Sequence, residues 1–232
     1  MWYFPSDHMK ILVIDVGGTH VKAQATGQRS RRKLPSGPGM TPHLMVREVG
    51  DLITDWQYDV VSIGVPTRVL RGQIAAEPAN LGRGWVKFDF SRAFERPVKL
   101  INDAAMQALG AYQGGRMLFL GLGTGLGSAM IADGVVVPME LAHLPYKKDR
   151  TYEDLVGRRA LERSGKKKWR RDVADVVSRL AIALEAEDLV LGGGNAKHLK
   201  KLPKGARRCT NSDAIKGGYR LWTEGDGQGH KD

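Results

Sequence analysis

Short apolar runs that end in glycine turns occur twice in this chain. Residues 10–16 (KILVIDV) are apolar and β-branched, they end at a Gly-Gly pair, and strand-like alternation resumes in HVKAQAT. Residues 117–132 (MLFLGLGTGLGSAMIA) show the same order of apolar run, turn and second run. Aligning the two segments places Gly17 on Gly123, 106 positions later. The sequence therefore predicts one hairpin unit that is used twice.

Helical and strand-like patterns alternate through the rest of the chain. Thr41 and Pro42 are a good N-cap and first helical residue, and apolar residues follow them at helical spacing. The segments DVVSIGVP and PVKLIND read as strands, and DAAMQALGAY reads as the helix that follows the second of them. The second half predicts helices over 151–163 and 168–186, a strand in DLVLGGG, a short helix near Asn195 and a last helix within SDAIKGGYRLW.

This alternation predicts an α/β fold in which helices cover the sheets. The repeated hairpin predicts two lobes with a cleft between them. We expect the last helix to be able to pack back on the first lobe. The predicted parts are an N-terminal extension, a smaller lobe, a larger lobe and a disordered polar tail: 1–9, 10–102, 103–222 and 223–232.

Composition narrows the class of protein. Lys and Arg outnumber Asp and Glu by 36 to 25, an excess that is typical of a well-solvated basic surface and that also attracts polyanionic partners. No apolar run approaches the roughly 20 residues that cross a bilayer, and the opening MWYFPSDH lacks the pattern of a secretion signal. A single cysteine, Cys209, fits a reducing compartment. We expect a cytoplasmic protein without a membrane partner.

Both glycine turns have the composition of phosphate-binding loops. Around Gly17-Gly18-Thr19, backbone N–H groups and a hydroxyl can approach an anion, and Asp15 can hold a metal-bound water. The second turn has Gly121 where the first has Asp15. Each turn alone also fits an ordinary tight hairpin, and neither matches the Walker or dinucleotide pattern. A third cluster, at residues 192–195, stands between a strand and a helix, where it can receive a phosphate.

A carboxylate stands where a predicted strand meets a predicted helix. Asp103 follows Asn102 at the end of PVKLIND and precedes AAMQALGAY. At this position it can act as a general base on an alcohol, or it can cap the helix. The residues alone leave both roles open.

Six motifs in order resemble the ROK family of sugar kinases (repressor, open reading frame, kinase). They are DVGGTHVK, IGVP, PANLG, INDA, GLGTGLG and ELAHL. The later segments KKW, LGGGN and NSDAIKGG are similar to the polyphosphate-dependent glucokinase branch. The resemblance implies the actin-like ATPase (ribonuclease H-like) fold. It also implies phosphoryl transfer from polyphosphate, ATP or both to the 6-hydroxyl of glucose or a related hexose.

The resemblance also implies roles for individual residues. Asp103 matches the general base, and Mg²⁺ is expected with either donor, held through water by Asp15. Two residues depart from the family pattern: Ala142 stands where the family has Gly, which would tighten the backbone or shift the pocket slightly, and Thr67 replaces a smaller residue, which would change the local loop shape. The residues expected to contact the sugar are Asn80, Asn102, Asp103, Glu140, His143 and Glu153. Those expected to contact the donor are Asp15, Gly17, Gly18, Thr19, Lys22, Gly123, Thr124, Gly125, Gly193 and Gly194.

Several alternatives stay open at this point. The basic run Lys166–Arg171 fits either a track for a long polyanion or a solvated helix face. A sugar-sensing regulator of the same family needs a DNA-reading module, for which the nine residues before the first strand leave no room, so we expect no nucleic-acid partner. A compact pantothenate kinase shares the Asp-Gly-Thr turn but does not need ELAHL and INDA together. Family members are often dimers, so a homodimer is expected.

Overall fold

Two compact units, each built on a five-stranded sheet, make up the protein. The computed structural model describes residues 9–147, 149–210 and 212–223. One unit comprises the chain up to Met106 together with the chain from Ala214 onward, and the other is Gln107–Asp213. Within the described ranges, no helix has both the length and the apolar character that a membrane crossing requires.

The first unit opens with a hairpin and continues with parallel strands. Its sheet has the order β3-β2-β1-β4-β7, in which β1, β4 and β7 run parallel and β2 and β3 are antiparallel. The elements are β1 (Ile11–Val16), β2 (His20–Ala25), β3 (Arg32–Pro35), α1 (Pro42–Leu52), β4 (Val60–Val65), β5 (Val69–Leu70), β6 (Gln73–Ile74), α2 (Phe90–Phe94), β7 (Val98–Asn102) and α3 (Asp103–Ala111).

The second unit repeats this order of strands. Its sheet runs β10-β9-β8-β11-β12, again with an antiparallel hairpin extension on one side and parallel strands on the other. The elements are β8 (Arg116–Leu122), β9 (Leu126–Ala132), β10 (Val135–Met139), α4 (Tyr152–Val156), α5 (Arg158–Ala183), β11 (Asp188–Gly192), a 3₁₀ turn at Ala196–His198 and β12 (Ala206–Arg208). The helix that follows, α6 (Asp213–Thr223), returns to the first unit from Ala214 onward.

The duplicated hairpin is therefore confirmed, with one difference in the turns. In the first unit Val16 pairs with Val21, so four residues form the turn. In the second unit Leu122 pairs with Leu126, so three residues form it. The first strands of the two hairpins correspond at a constant offset, whereas the second strands are displaced by one residue.

Local sequence signals explain why the first unit folds as it does. Thr41 caps α1 by accepting a hydrogen bond from the Leu44 N–H at 3.2 Å, and Pro42 occupies the first turn, as the sequence predicted. Met45 and Val49 then point into the core. β1, in the middle of the sheet, is buried along its whole length, as is typical of a strand whose sheet is covered on both faces.

The predicted helix over 151–163 is wrong in its continuity. The chain forms α4 and then α5, separated at Gly157, which has an extended ψ of 174°. A Cβ at Gly157 would lie 3.0 Å from the Thr124 carbonyl oxygen, so a side chain here would crowd the second glycine turn. α5 also contains a break at Gly165, whose φ of 73° suits glycine. The sequence pattern did not predict β3, β10, β12, α2 or the β5-β6 pair.

The last helix, α6, belongs to the first unit although it ends the described chain. A Cβ on Gly218 would overlap Val13, so the absence of a side chain allows close packing on β1. The Ser62 hydroxyl donates to the Gly218 carbonyl at 2.6 Å and accepts from the Trp222 indole N–H at 2.9 Å. The predicted disordered tail lies outside the described residues from position 224 onward, and Thr223 is the last residue of α6.

Candidate functional site

The carboxyl ends of three parallel strands gather polar side chains at one edge of the first sheet. Asp15 lies near the end of β1 and is in register with Gly64 of β4, while Asn102 ends β7 beside Val65. Asp103 follows directly as the first residue of α3. The carboxyl ends of parallel strands are the usual location of ligand sites in α/β sheets.

Asn102, rather than Asp103, caps α3. Its Oδ1 accepts a hydrogen bond from the Ala105 N–H at 3.1 Å, and its Nδ2 donates to the Thr67 carbonyl at 3.1 Å. The Asp103 carboxylate accepts the adjacent Ala104 N–H through Oδ1 at 2.8 Å. The capping role that the sequence left open for Asp103 is therefore filled by its neighbour.

The environment of Asp103 resists ionisation of its carboxyl group. Burial, followed by the negative charge of Asp15, raises the pKa of Asp103 to about 7 from 3.8. The Ala104 N–H and the charge of Lys22 act in the opposite direction but do not offset the increase. A carboxyl group with a pKa near neutrality is suited to exchange a proton with a substrate hydroxyl.

Asp15 and Lys22 form an ion pair across the first hairpin. They face each other in the β1-β2 register, and the Lys22 Nζ lies 2.9 Å from the Asp15 Oδ2. The Asp15 side chain is 7% exposed and the Lys22 side chain 43%. The buried carboxylate is therefore paired, while part of the lysine stays in contact with solvent.

The first glycine turn is closed by its own backbone. The Gly17 N–H donates to the His20 carbonyl at 3.0 Å, and the Ser36 N–H donates to the Thr19 carbonyl at 2.9 Å. Gly18 and Thr19 are exposed at the tip of the turn. Gly17 thus stabilises the turn, whereas Gly18 and Thr19 present their backbone to solvent.

Asn80 lies next to this turn. Its Cβ is 3.4 Å from the position that a Cβ on Gly18 would occupy, and the residue is exposed. The loop around it is held by Glu77, whose carboxylate accepts hydrogen bonds from three consecutive backbone N–H groups, at residues 84–86. Glu77 has no signal in the sequence, since an isolated Glu in a loop gives no pattern.

Thr67 connects this loop to the cap of α3. Its hydroxyl donates to the Ala76 carbonyl at 2.9 Å, and its own carbonyl accepts from Asn102. Thr67, which departs from the family pattern, therefore supplies a hydrogen bond that fixes the loop.

Glu153 supports the second glycine turn. Its carboxylate accepts the Leu126 N–H at 3.2 Å, and it packs so closely on Gly125 that a Cβ there would overlap it. The Glu153 N–H donates to the Ala142 carbonyl at 3.0 Å. Glu153, for which the sequence left a sugar contact and a helix start equally open, lies in α4 and joins the ELAHL segment to the turn.

Glu140 and His143 come close to each other without a helix. They lie in the turn segment after β10, with His143 Nε2 3.7 Å from Glu140 Oε1, and both side chains are 72% exposed. Ala142 between them is buried. The three-residue spacing brings the pair together through a turn, and both side chains reach solvent.

Asn195 connects the third glycine cluster to the second turn. Its Nδ2 donates to the Gly123 carbonyl and its N–H to the Leu122 carbonyl, both at 2.8 Å. Gly193 has a φ of 80°, and a Cβ there would overlap the Leu122 backbone. Gly193 and Gly194 are exposed beside this junction. No local pattern predicts the side-chain role of Asn195, because its partner is a backbone carbonyl 72 positions earlier in the chain.

The basic run on α5 has its aromatic residue in the core. Trp169, which stands beside the charges in the sequence, is fully buried and donates its indole N–H to the Val156 carbonyl at 2.8 Å. Lys168 pairs with Asp172 at 2.8 Å, whereas Lys166 and Lys167 are exposed. The aromatic side chain belongs to the core of the second unit because the helix turns it inward.

A comparison with known protein families decides the membership of the chain. The model of the ROK family matches residues 11–138, which include the first turn, Asp103 and the second turn. The chain belongs to the ROK family. Within this family it is 32% identical over 142 residues to the N-acetylmannosamine kinase of Shigella flexneri, a match that covers 54% of this chain and 48% of that protein. The chain thus spans about half the length of this relative.

This ROK protein resembles polyphosphate-using relatives over more of its length. It is 24% identical over 218 residues to the polyphosphate glucokinase of Mycobacterium tuberculosis, covering 81% of this chain and 78% of that one. The crystal structure of the inorganic polyphosphate/ATP-glucomannokinase of Arthrobacter sp. strain KM matches with a TM-score of 0.80 at 24% identity, covering 94% and 99% of the two chains. These matches confirm a ROK protein near the polyphosphate glucokinase branch, with the actin-like ATPase fold.

Proposed function

We propose that this ROK protein is a hexose kinase that transfers a phosphoryl group from polyphosphate, ATP or both to the 6-hydroxyl of glucose or a related hexose. The observation that supports it most directly is Asp103 at the carboxyl edge of the first sheet, with a pKa near 7 and with its capping duty taken by Asn102. The relatives named above are sugar kinases, which favours the same reaction class for this chain.

In the proposed reaction Asp103 accepts the proton of the sugar hydroxyl as that oxygen attacks the terminal phosphoryl group. The bond between this phosphorus and the leaving phosphate breaks, and the shorter donor departs. General-base assistance of this kind contributes about 10² to 10⁴ in rate. Asn102 is held by Ala105 and Thr67, so it keeps the start of α3 in one orientation.

The donor in this proposal is held by backbone amides and charges at the two glycine turns. Gly18 and Thr19 of the first turn and Thr124 and Gly125 of the second are the proposed contacts, with Lys22 contributing a positive charge. Mg²⁺, which neutralises the phosphates during transfer, fits the carboxylate chemistry of Asp15, since the ion is commonly held by one or two carboxylates and the substrate phosphates.

The sugar contacts proposed for Asn80, Glu140 and His143 rest on their exposure and on hydrogen-bond chemistry. An amide, a carboxylate and an imidazole together supply donors and acceptors for neutral hydroxyl groups. Glu153 is proposed as a supporting residue. Its N–H bonds to Ala142 in the segment that carries Glu140 and His143, and its carboxylate bonds to Leu126 at the end of the second turn.

The test is a coupled assay of wild type and Asp103→Asn, with ATP and polyphosphate offered separately and glucose, mannose and N-acetylglucosamine as acceptors. We expect the variant to lose about 10²-fold or more of the turnover while calorimetry still detects sugar binding. Asp51→Asn, on the exposed side of α1, is the matched control and should retain full activity. Normal turnover in Asp103→Asn would remove this residue from the mechanism.

The thermal stability of wild type and of Asp103→Asn provides a check that does not depend on turnover. Because the pKa of Asp103 is raised on folding, its stabilising contribution is present below pH 4 and is lost as the pH rises through about 7. Asp103→Asn has no such loss. The melting temperature of the variant relative to wild type should therefore be higher at pH 8 than at pH 5. An equal difference at both pH values would contradict the raised pKa.

A further inference from the structure

One part of the second unit concentrates positive charge without intervening acidic residues. From Leu189 to Ser212 the sequence contains no Asp or Glu, and it contains six basic residues besides His198. They are Lys197, Lys200, Lys201, Lys204, Arg207 and Arg208. Arg207 is paired with Asp188, with an Nη2–Oδ2 distance of 2.6 Å, while all four lysines are exposed.

Helix α5 brings further cations to the same place. The Arg170 Nε donates to the His198 carbonyl at 2.6 Å, and the Arg208 Nη2 donates to the Leu199 carbonyl at 2.8 Å. The pKa of His198 is lowered by desolvation and then by the charges of Lys166, Lys197 and Arg170, which shows that these cations converge on it. We call Lys166, Arg170, Lys197, His198, Lys200 and Lys201 the basic surface.

Direct contacts connect the basic surface to the second glycine turn. Asn195 bonds to the Gly123 and Leu122 carbonyls, and the His198 N–H donates to the Asn195 carbonyl at 2.9 Å. His198 in turn is bonded to Arg170. An unbroken set of hydrogen bonds therefore leads from the proposed phosphate turn to the cations, all within one compact unit.

We propose that the basic surface binds the distal part of a linear inorganic polyphosphate whose terminal phosphates occupy the second glycine turn. The proposal rests on the proposed function, because it extends the donor contact of that site. A linear polyphosphate carries a negative charge on every phosphate, so a row of cations beyond the turn gains affinity with chain length through counterion release. The short triphosphate of ATP ends near the turn and does not need the surface.

The side chains favour polyphosphate over single-stranded nucleic acid. Proteins that bind single strands combine cations with exposed aromatic residues on which bases stack. Between Lys166 and Arg208 the sequence has one Trp and no Phe or Tyr, and that residue, Trp169, is buried. The basic surface therefore offers charge without a stacking platform.

The test neutralises three cations of the basic surface in the triple variant Lys166→Gln, Lys197→Gln and Lys200→Gln. Binding of long-chain polyphosphate, measured by calorimetry over a series of salt concentrations, should weaken by about tenfold or more at low salt, and the slope of log affinity against log salt should fall by about two to three. Affinity for tripolyphosphate and turnover with ATP should not change.

The matched control removes the same charge elsewhere in the triple variant Arg29→Gln, Arg47→Gln and Arg92→Gln, whose residues are exposed on the first unit. It should bind long-chain polyphosphate with an unchanged salt slope. Equal losses in the two triple variants would overturn the proposal, since the effect would then be net charge alone. The proposal would also be overturned if wild type bound a single-stranded oligonucleotide more tightly than polyphosphate and the lysine triple variant abolished that binding.

Binding and turnover are read separately, so the two proposals fail in different ways. If wild type does not phosphorylate any hexose but still binds polyphosphate through the three lysines, the basic surface stands and the kinase proposal falls. If wild type uses polyphosphate and the triple variant binds long and short chains equally well, the basic surface falls and the kinase proposal stands.

Discussion

The two hairpins have the same strand order but carry different chemistry at equivalent positions. In the first hairpin Asp15 faces Lys22 across the strands, whereas in the second the corresponding pair is Gly121 facing Gly127. The sheet that holds the first turn also contains β7, which leads to Asp103. The negative charge of Asp15 raises the pKa of the Asp103 carboxyl group. Glu153 and Asn195 hold the second turn through hydrogen bonds to backbone groups at its two ends. The two hairpins are thus similar in backbone, but the first carries the ionisable groups and the second has a turn held by side-chain hydrogen bonds.

The largest effect is expected when the first hairpin is made like the second. Asp15→Gly removes the buried carboxylate, and turnover should fall on the order of 10²-fold because the site loses a charge that the proposed metal and Lys22 both use. Asp15→Asn keeps the size of the side chain and should show the same loss. Turnover and circular dichroism measured on both variants distinguish a chemical loss from misfolding. Wild-type turnover in Asp15→Asn would mean that the difference between the hairpins has no catalytic importance.

A smaller effect, on the free energy of unfolding, is expected when the first glycine of each turn is replaced by alanine. At Gly17 an added Cβ would lie 3.1 Å from the His20 carbonyl oxygen, whereas at Gly123 it would meet nothing within 4 Å. Gly17→Ala should therefore lower the free energy of unfolding by about 1 kcal/mol, while Gly123→Ala should change it by less than about 0.5 kcal/mol. Urea unfolding of the two variants measures this. The reverse order would show that the second turn is the more tightly packed one.

The smallest effect is expected on the pH profile. Lys22 lowers the pKa of Asp103, so Lys22→Met should raise that pKa and move the acidic limb of kcat/KM to higher pH. Lys33→Met, which removes a charge from the neighbouring strand, is the control and should move the limb less. A shift to lower pH in Lys22→Met would contradict the assignment of Asp103 as the base.

The sequence predicted those parts of the fold whose signals are local. Both hairpins, the Thr41 cap of α1 and the helix within SDAIKGGYRLW depend on turn residues and spacing within a few positions, and each is present. β3, β10 and β12 were missed because they lie at sheet edges, where pairing with a distant strand decides the conformation. The break at Gly157 depends on the closeness of Thr124, 33 positions earlier in the chain.

The candidate site was predictable in its residue types but not in its bonding. The motifs identified Asp15, Asn102 and Asp103 as candidates. Sequence alone left open whether Asp103 caps α3, and the hydrogen bond from Ala105 to Asn102 answers this. Glu77 and Asn195 were not predicted as side chains that hold the loops, because their partners are backbone groups of other segments.

The packing of α6 on β1 has a consequence for biosynthesis. The second unit is one continuous stretch, Gln107–Asp213, so a ribosome delivers all of it before α6 emerges. The first unit needs Gly218 against Val13, and therefore one apolar face of its sheet stays uncovered until α6 has been translated. Nascent chains stalled before residue 213 should be bound by chaperones through that face. The half of the protein that is made first is thus the half that is completed last.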